Sequence, residues 1–98
     1  MNILNDDEIK AALSQNPAWS YAEPNIQASF TFPGFHEAIG FIVAMSMIAE
    51  KYNHHPGLKL SYSKVELSLS THDVGNRITS LDIDVAKELT GLAQRFGA

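Results

Sequence analysis

Three of the four histidines in the chain stand in two short stretches, Glu50-Lys51-Tyr52-Asn53-His54-His55-Pro56 and Thr71-His72-Asp73. An imidazole is the side chain whose unperturbed titration falls near neutral pH, so such a set suits proton transfer to and from a small molecule. Three uses of these rings compete on residue types alone. A single histidine near a helix C-terminus commonly does no more than complement the negative end of the helix dipole. A tri-histidine zinc site with an open position is the second use, although the usual helical ligand spacing is absent and no sequence feature fixes a second shell for adjacent histidines. Metal-free acid and base catalysis on a small polar ring is the third. Composition does not choose among them.

The elements that must position these rings are legible from periodicity. Asn5-Asp6-Asp7-Glu8 predicts a capped helix start, with Asn5 as N-cap, Glu8 reaching back to it and Leu4 and Ile9 at staple positions; Asn16-Pro17 ends that helix. Trp19 to Ala22 and Ile26 to Phe32 read as two strands of a hairpin around Glu23-Pro24-Asn25, the second alternating apolar and polar residues. After Pro33-Gly34, the residues Phe35, Ala38, Ile39, Ile42, Met45 and Ala49 follow helical spacing. Phe41, Val43 and Ile48 widen that stripe, which predicts a central, buried helix. Leu58, Leu60 and Tyr62 suggest a short strand, and Val65, Leu67 and Leu69 alternate with polar residues in a half-buried one. Thr79-Ser80-Leu81-Asp82 has capping-box spacing before a last helix carrying Leu81, Val85, Leu89, Leu92 and Phe96 on one face. The order α-β-β-α-β-β-α predicts an α+β, two-layer domain: a four-stranded antiparallel sheet with three helices on one face.

Ninety-eight residues make one domain, small enough that oligomerisation would add useful burial; the strand from Val65 to Leu69 or the last helix is a candidate contact. A formal charge of −4 without a Lys/Arg run argues against direct nucleic-acid binding. The absence of cysteine removes disulfides, thiolate nucleophiles and Cys-based zinc sites. No signal sequence is visible, and the most apolar stretch, Phe41 to Ala49, is too short to span a bilayer, so a soluble, cytoplasmic protein with no membrane association is expected.

Taken as a set, the residues resemble the pterin-4a-carbinolamine dehydratase family. The likeness runs from Glu50 through His54-His55-Pro56, Tyr62, Val65, Leu67, Leu69 and Thr71-His72-Asp73 to Asp82, and also takes in Trp19, Phe30-Thr31-Phe32 with Phe35, and Ala49-Glu50-Lys51. Gly57 and Leu58 depart from the acidic residue and tryptophan common after His-His-Pro, predicting an altered pocket wall. Lys59-Leu60-Ser61 replaces the usual step before the tyrosine, and Leu81 stands where a basic residue often precedes the helix aspartate.

The resemblance implies dehydration of a 4a-hydroxytetrahydropterin to a quinonoid dihydropterin in tetrahydropterin recycling, without metal or organic cofactor. It implies His54, His55 and His72 as catalytic residues, with His54 and His72 exchanging protons and His55 orienting the substrate or serving as an alternative acid. Pro56, Thr71, Asp73 and Val74 would line the pterin site, with Glu50 and Asp82 in support. For Asp82 the plain helix-capping role is favoured, and for Tyr62 and Trp19 packing roles with a hydrogen-bonding edge. His36 is expected at the surface, and Asn53 at a tight turn. The resemblance also implies a homodimer or homotetramer and a pathway link to an aromatic amino acid hydroxylase. The rival reading is a non-catalytic dimerisation or scaffold module with a vestigial pocket.

Overall fold

The computed structural model describes residues 2–98. In chain order these form α1 (Asp6–Ser14), β1 (Trp19–Ala22), β2 (Asn25–Thr31), α2 (Phe35–Tyr52), β3 (Gly57–Ser61), β4 (Lys64–Leu69), a 3-10 turn at His72–Val74, and α3 (Ser80–Arg95). The predicted α-β-β-α-β-β-α order is observed, and the four strands make one antiparallel sheet in the spatial order β1-β2-β4-β3.

Helix α1 begins as its capping box requires: the Asn5 side chain accepts from the Glu8 N–H (2.8 Å), and the Glu8 carboxylate accepts from the Asn5 N–H (2.9 Å). The sheet has one apolar face because side chains alternate along a strand. Ile26, Ala28 and Phe30 of β2 and Val65, Leu67 and Leu69 of β4 are buried against Ile9 and Leu13 of α1, Phe41 and Met45 of α2, and Val85 and Leu89 of α3 in one core. Phe41 is the hub of its aromatic part, with ring centroids of Phe32, Phe30 and Phe96 at 5.0, 6.0 and 6.5 Å. Phe96 reaches it across Gly40, where a Cβ would stand 2.8 Å from the Phe96 ring. Trp19 is buried and its Nε1–H donates to Thr90 Oγ1 at 2.9 Å, the packing role with a polar edge that its sequence context suggested.

Three sequence expectations need correction. Helix α2 is not buried all round: Ala38, Phe41, Met45 and Ala49 are buried, whereas Phe35, Val43 and Met47 are each more than half exposed. A single two-layer chain has no third layer to cover that side of the helix. Tyr62 is not a packing residue; it is 72% exposed, at φ +52° in the turn between β3 and β4, where a two-residue hairpin demands a positive φ. The stretch Val65 to Leu69 offers no edge for association, since β4 is paired on both sides and those apolar side chains fill the core. His36 is exposed as expected. Among the described residues, no helix is long and apolar enough to cross a membrane.

Candidate active site

The end of α2 aims the first histidine. Asn53 adopts a left-handed conformation (φ 49°, ψ 46°), which asparagine tolerates better than most residues. Its N–H bonds the Glu50 carbonyl and the His54 N–H bonds the Ala49 carbonyl at 2.9 Å, closing the helix and turning the chain back toward the sheet. Pro56 then holds His55 extended, leading directly into β3. β3 pairs with β4 in the register Gly57↔Ser68. Continued three residues outward, that antiparallel register brings His55 level with Ser70 and His54 level with Thr71. The ladder therefore joins two stretches that lie apart in sequence.

Thr71 extends the inward row of Val65, Leu67 and Leu69, so a hydroxyl arrives where the core meets the start of α3. There it meets Asp82, which is fully buried. Asp82 Oδ2 accepts from the Thr79 N–H and from Thr71 Oγ1, each at 2.8 Å, and the Thr71 and Thr79 hydroxyls lie 2.8 Å apart. Asp82 Oδ1 lies 2.6 Å from Nε2 of His54, a ring whose side chain is 8% exposed. The carboxylate is the acceptor in each of these bonds, which assigns a hydrogen to His54 Nε2. No buried side-chain nitrogen or oxygen among the described residues lacks a partner, and among them none bonds Nδ1, so Nδ1 keeps some accessible surface. Asp82 thus does two things at once: it completes the capping box of α3 and braces His54. Its sequence context had favoured the cap alone.

The other two imidazoles are exposed. His55 Nε2 lies 2.5 Å from the Glu50 carboxylate, one helical turn back, so Glu50 braces His55 rather than His54. His72 opens the 3-10 turn, in a loop closed at its base by the Thr71 N–H bonding the Arg77 carbonyl at 2.8 Å. Gly75 and Asn76 take consecutive positive φ values (73° and 59°) and reverse the chain there.

All three rings line one cleft of about 450 Å³, together with Tyr52, Asn53, Ser70, Thr71, Asp73 and Leu81. That volume lies within the roughly 300–1,000 Å³ of small-molecule sites. Of the residues expected to line a ligand site, Thr71 and Asp73 do so, Thr71 with its hydroxyl donated to Asp82, while Pro56 and Val74 lie outside the lining. Gly57 and Leu58 are outside it too. Tyr52 and Ser70 carried no sequence signal as lining residues: one belongs to the last turn of a long helix, the other follows the end of a strand. A larger hollow of about 610 Å³ lies between α1, the β1–β2 turn and Gly75–Ile78, but it holds no imidazole. Among the described residues, no group of three or more His, Cys, Asp or Glu side chains is disposed to hold a metal ion.

The Tyr52 wall is fixed from behind. Its hydroxyl donates to Glu88 Oε2, and Lys51 Nζ donates to Glu88 Oε1 at 3.2 Å while lying 4.9 Å from the Tyr52 ring centroid. The Tyr52 hydrogen bond, helped by Lys51, holds the Glu88 carboxyl below its ordinary value, and the same hydrogen bond raises the Tyr52 phenol. Bonding to Glu88 raises Lys51 as well.

This arrangement has relatives. The family model for pterin 4 alpha carbinolamine dehydratase matches residues 2–92. A protein from Afipia carboxidovorans, named for the same dehydratase, is 41% identical over 98 residues, covering 98% of this chain and 97% of the relative. The crystal structure of a transcriptional coactivator/pterin dehydratase from Brucella melitensis superposes with a TM-score of 0.88 at 34% identity, covering 94% of this chain and 99% of that one. A pterin dehydratase-like protein described as a RuBisCO assembly factor of the alpha-carboxysome shares the fold alone, with a TM-score of 0.63 at 18% identity, over 76% of this chain and 86% of that one. By its sequence match along nearly its whole length, the chain belongs to the pterin 4 alpha carbinolamine dehydratase family.

Proposed function

We propose that the chain dehydrates a 4a-hydroxytetrahydropterin to a quinonoid dihydropterin and water, in tetrahydropterin recycling. The observation that carries this reading is a cleft sized for a bicyclic ring, with His54 and His72 delivered to it from separate loops and His54 braced by a buried carboxylate. In the elimination the C4a–O bond breaks, the departing hydroxyl takes a proton and leaves as water, and N5 loses its proton as the C4a=N5 bond forms. The redox state of ring and water together is unchanged, and no further cofactor enters.

His54 takes the N5 proton through Nδ1, because Asp82 at Nε2 stabilises the imidazolium that results, as the aspartate of a catalytic triad does. His72 protonates the leaving hydroxyl. His55, held by Glu50, orients the ring, and the exposed Asp73 carboxylate accepts from the amide and amino edge of the pterin. The more than half-exposed Phe35, Val43 and Met47 of α2 support association with further copies as a dimer or tetramer, and the chemistry suits coupling to an aromatic amino acid hydroxylase in the cytoplasm.

The same exposed stripe favours the second reading, a scaffold module whose cleft is idle. Turnover of chemically generated 4a-hydroxytetrahydropterin separates the two. Wild type should exceed His54→Ala and His72→Ala by roughly 10²- to 10⁴-fold each in catalysed rate, the usual contribution of a positioned acid or base. Wild-type turnover no faster than that of these variants would leave the scaffold reading standing.

A further inference from the structure

The walls of the cleft carry a charge pattern that the proton-transfer scheme does not use. Its lining contains no lysine or arginine. The carboxylate of Asp73 lies in the wall, and that of Glu50 lies just behind it on His55. The nearest cation to the Tyr52 wall, Lys51, is already paired with Glu88.

One feature of the fold would ordinarily offset this, because α3 starts at the cleft and a helix N-terminus offers free N–H donors and a positive dipole end to anions. Here that end is closed. The Ser80 N–H donates to the Asn2 carbonyl (3.0 Å), the Leu81 N–H to Thr79 Oγ1 (3.3 Å) and the Asp82 N–H to the Thr79 carbonyl (3.1 Å). The Asp82 carboxylate sits on the dipole itself. Toward the cleft the first turn presents the half-buried Leu81 side chain.

We propose that Leu81, with Tyr52, is a specificity-determining residue that makes the site select pterins with an uncharged substituent over pterins carrying a phosphate or carboxylate. The selection rests on the pterin reading of the cleft and adds to it the substrate subclass. A phosphorylated ligand must bring its charge into a cleft whose lining holds a carboxylate and the apolar Leu81 but no lysine or arginine to replace its water.

The test compares 6-hydroxymethyl-7,8-dihydropterin with its phosphate ester, two probes that differ only by the phosphoryl group, by equilibrium binding at about pH 8.5, above the ordinary imidazole range. Wild type should bind the phosphate about tenfold or more weakly at low salt, and the gap should narrow as salt screens the repulsion. In Leu81→Arg the affinity for the phosphate relative to that for the neutral probe should rise by about fivefold or more. Equal wild-type affinities, or a gap indifferent to salt, would overturn the selection while leaving the pterin reading intact. Failure of both probes to bind would overturn the pterin reading and the selection with it. The wild-type salt series decides even if Leu81→Arg does not fold.

Discussion

Nε2 of His54 and Oδ1 of Asp82 lie 2.6 Å apart although 28 residues separate them in sequence. The carboxylate is fully buried and also caps α3, so one side chain couples the start of a helix to an imidazole of the cleft.

Replacing Asp82 by Asn puts an amide where a carboxylate now accepts from His54. The substitution should lower kcat/KM for the carbinolamine roughly a hundredfold or more, as loss of the orienting carboxylate does in a Ser-His-Asp triad, and cost about 1–3 kcal/mol of stability. Rate and urea unfolding measured on the same preparation check this. A loss of stability with unchanged kcat/KM would reduce Asp82 to a cap.

Thr71 tests whether the carboxylate needs its second donor. Thr71→Val keeps the shape but removes the hydroxyl that lies between Asp82 and Thr79, and should destabilise by about 1–3 kcal/mol with an unchanged denaturant slope. Thr71→Ser retains the hydroxyl and should recover most of the loss. An equal penalty for both variants would point to methyl packing instead.

The left-handed Asn53 sets the direction in which His54 leaves α2. Asn53→Gly should be tolerated, whereas Asn53→Val should cost about 1–2 kcal/mol or more, because a β-branched residue resists that conformation. Thermal unfolding of the pair gives the comparison, and matching melting temperatures would contradict it.

Acid titration should expose the Tyr52–Glu88 contact. Glu88 is held below its ordinary value of 4.5, first by the Tyr52 hydrogen bond and then by Lys51. A carboxyl depressed in the folded state stabilises it above the unfolded value, and that contribution is lost as pH falls through the folded value. Wild type should therefore lose more stability than Tyr52→Phe as pH drops below 4.5, by a modest amount because the groups are partly exposed. Parallel stability curves for the two proteins over that range would rule the contribution out.

Local patterns in the chain were enough to predict its elements. The capping boxes at Asn5 and Thr79, the stop at Asn16-Pro17 and the period-two rows of β2 and β4 each depend on residues within a few positions of one another, and each is observed. The α+β order and the meeting of the His54 and His72 stretches followed from those rows, because an antiparallel ladder makes strand neighbours predictable.

Partnerships across the chain were not written in any local pattern. Whether Asp82 capped a helix or braced His54, whether Glu50 served His54 or His55, and which side of α2 stayed exposed depended on how elements pack at distances of tens of residues. Spacing alone supplies a menu of candidate imidazoles. Only the packed chain, by burying one carboxylate at the junction of β4 and α3, selected which ring it would hold and which nitrogen it would leave open.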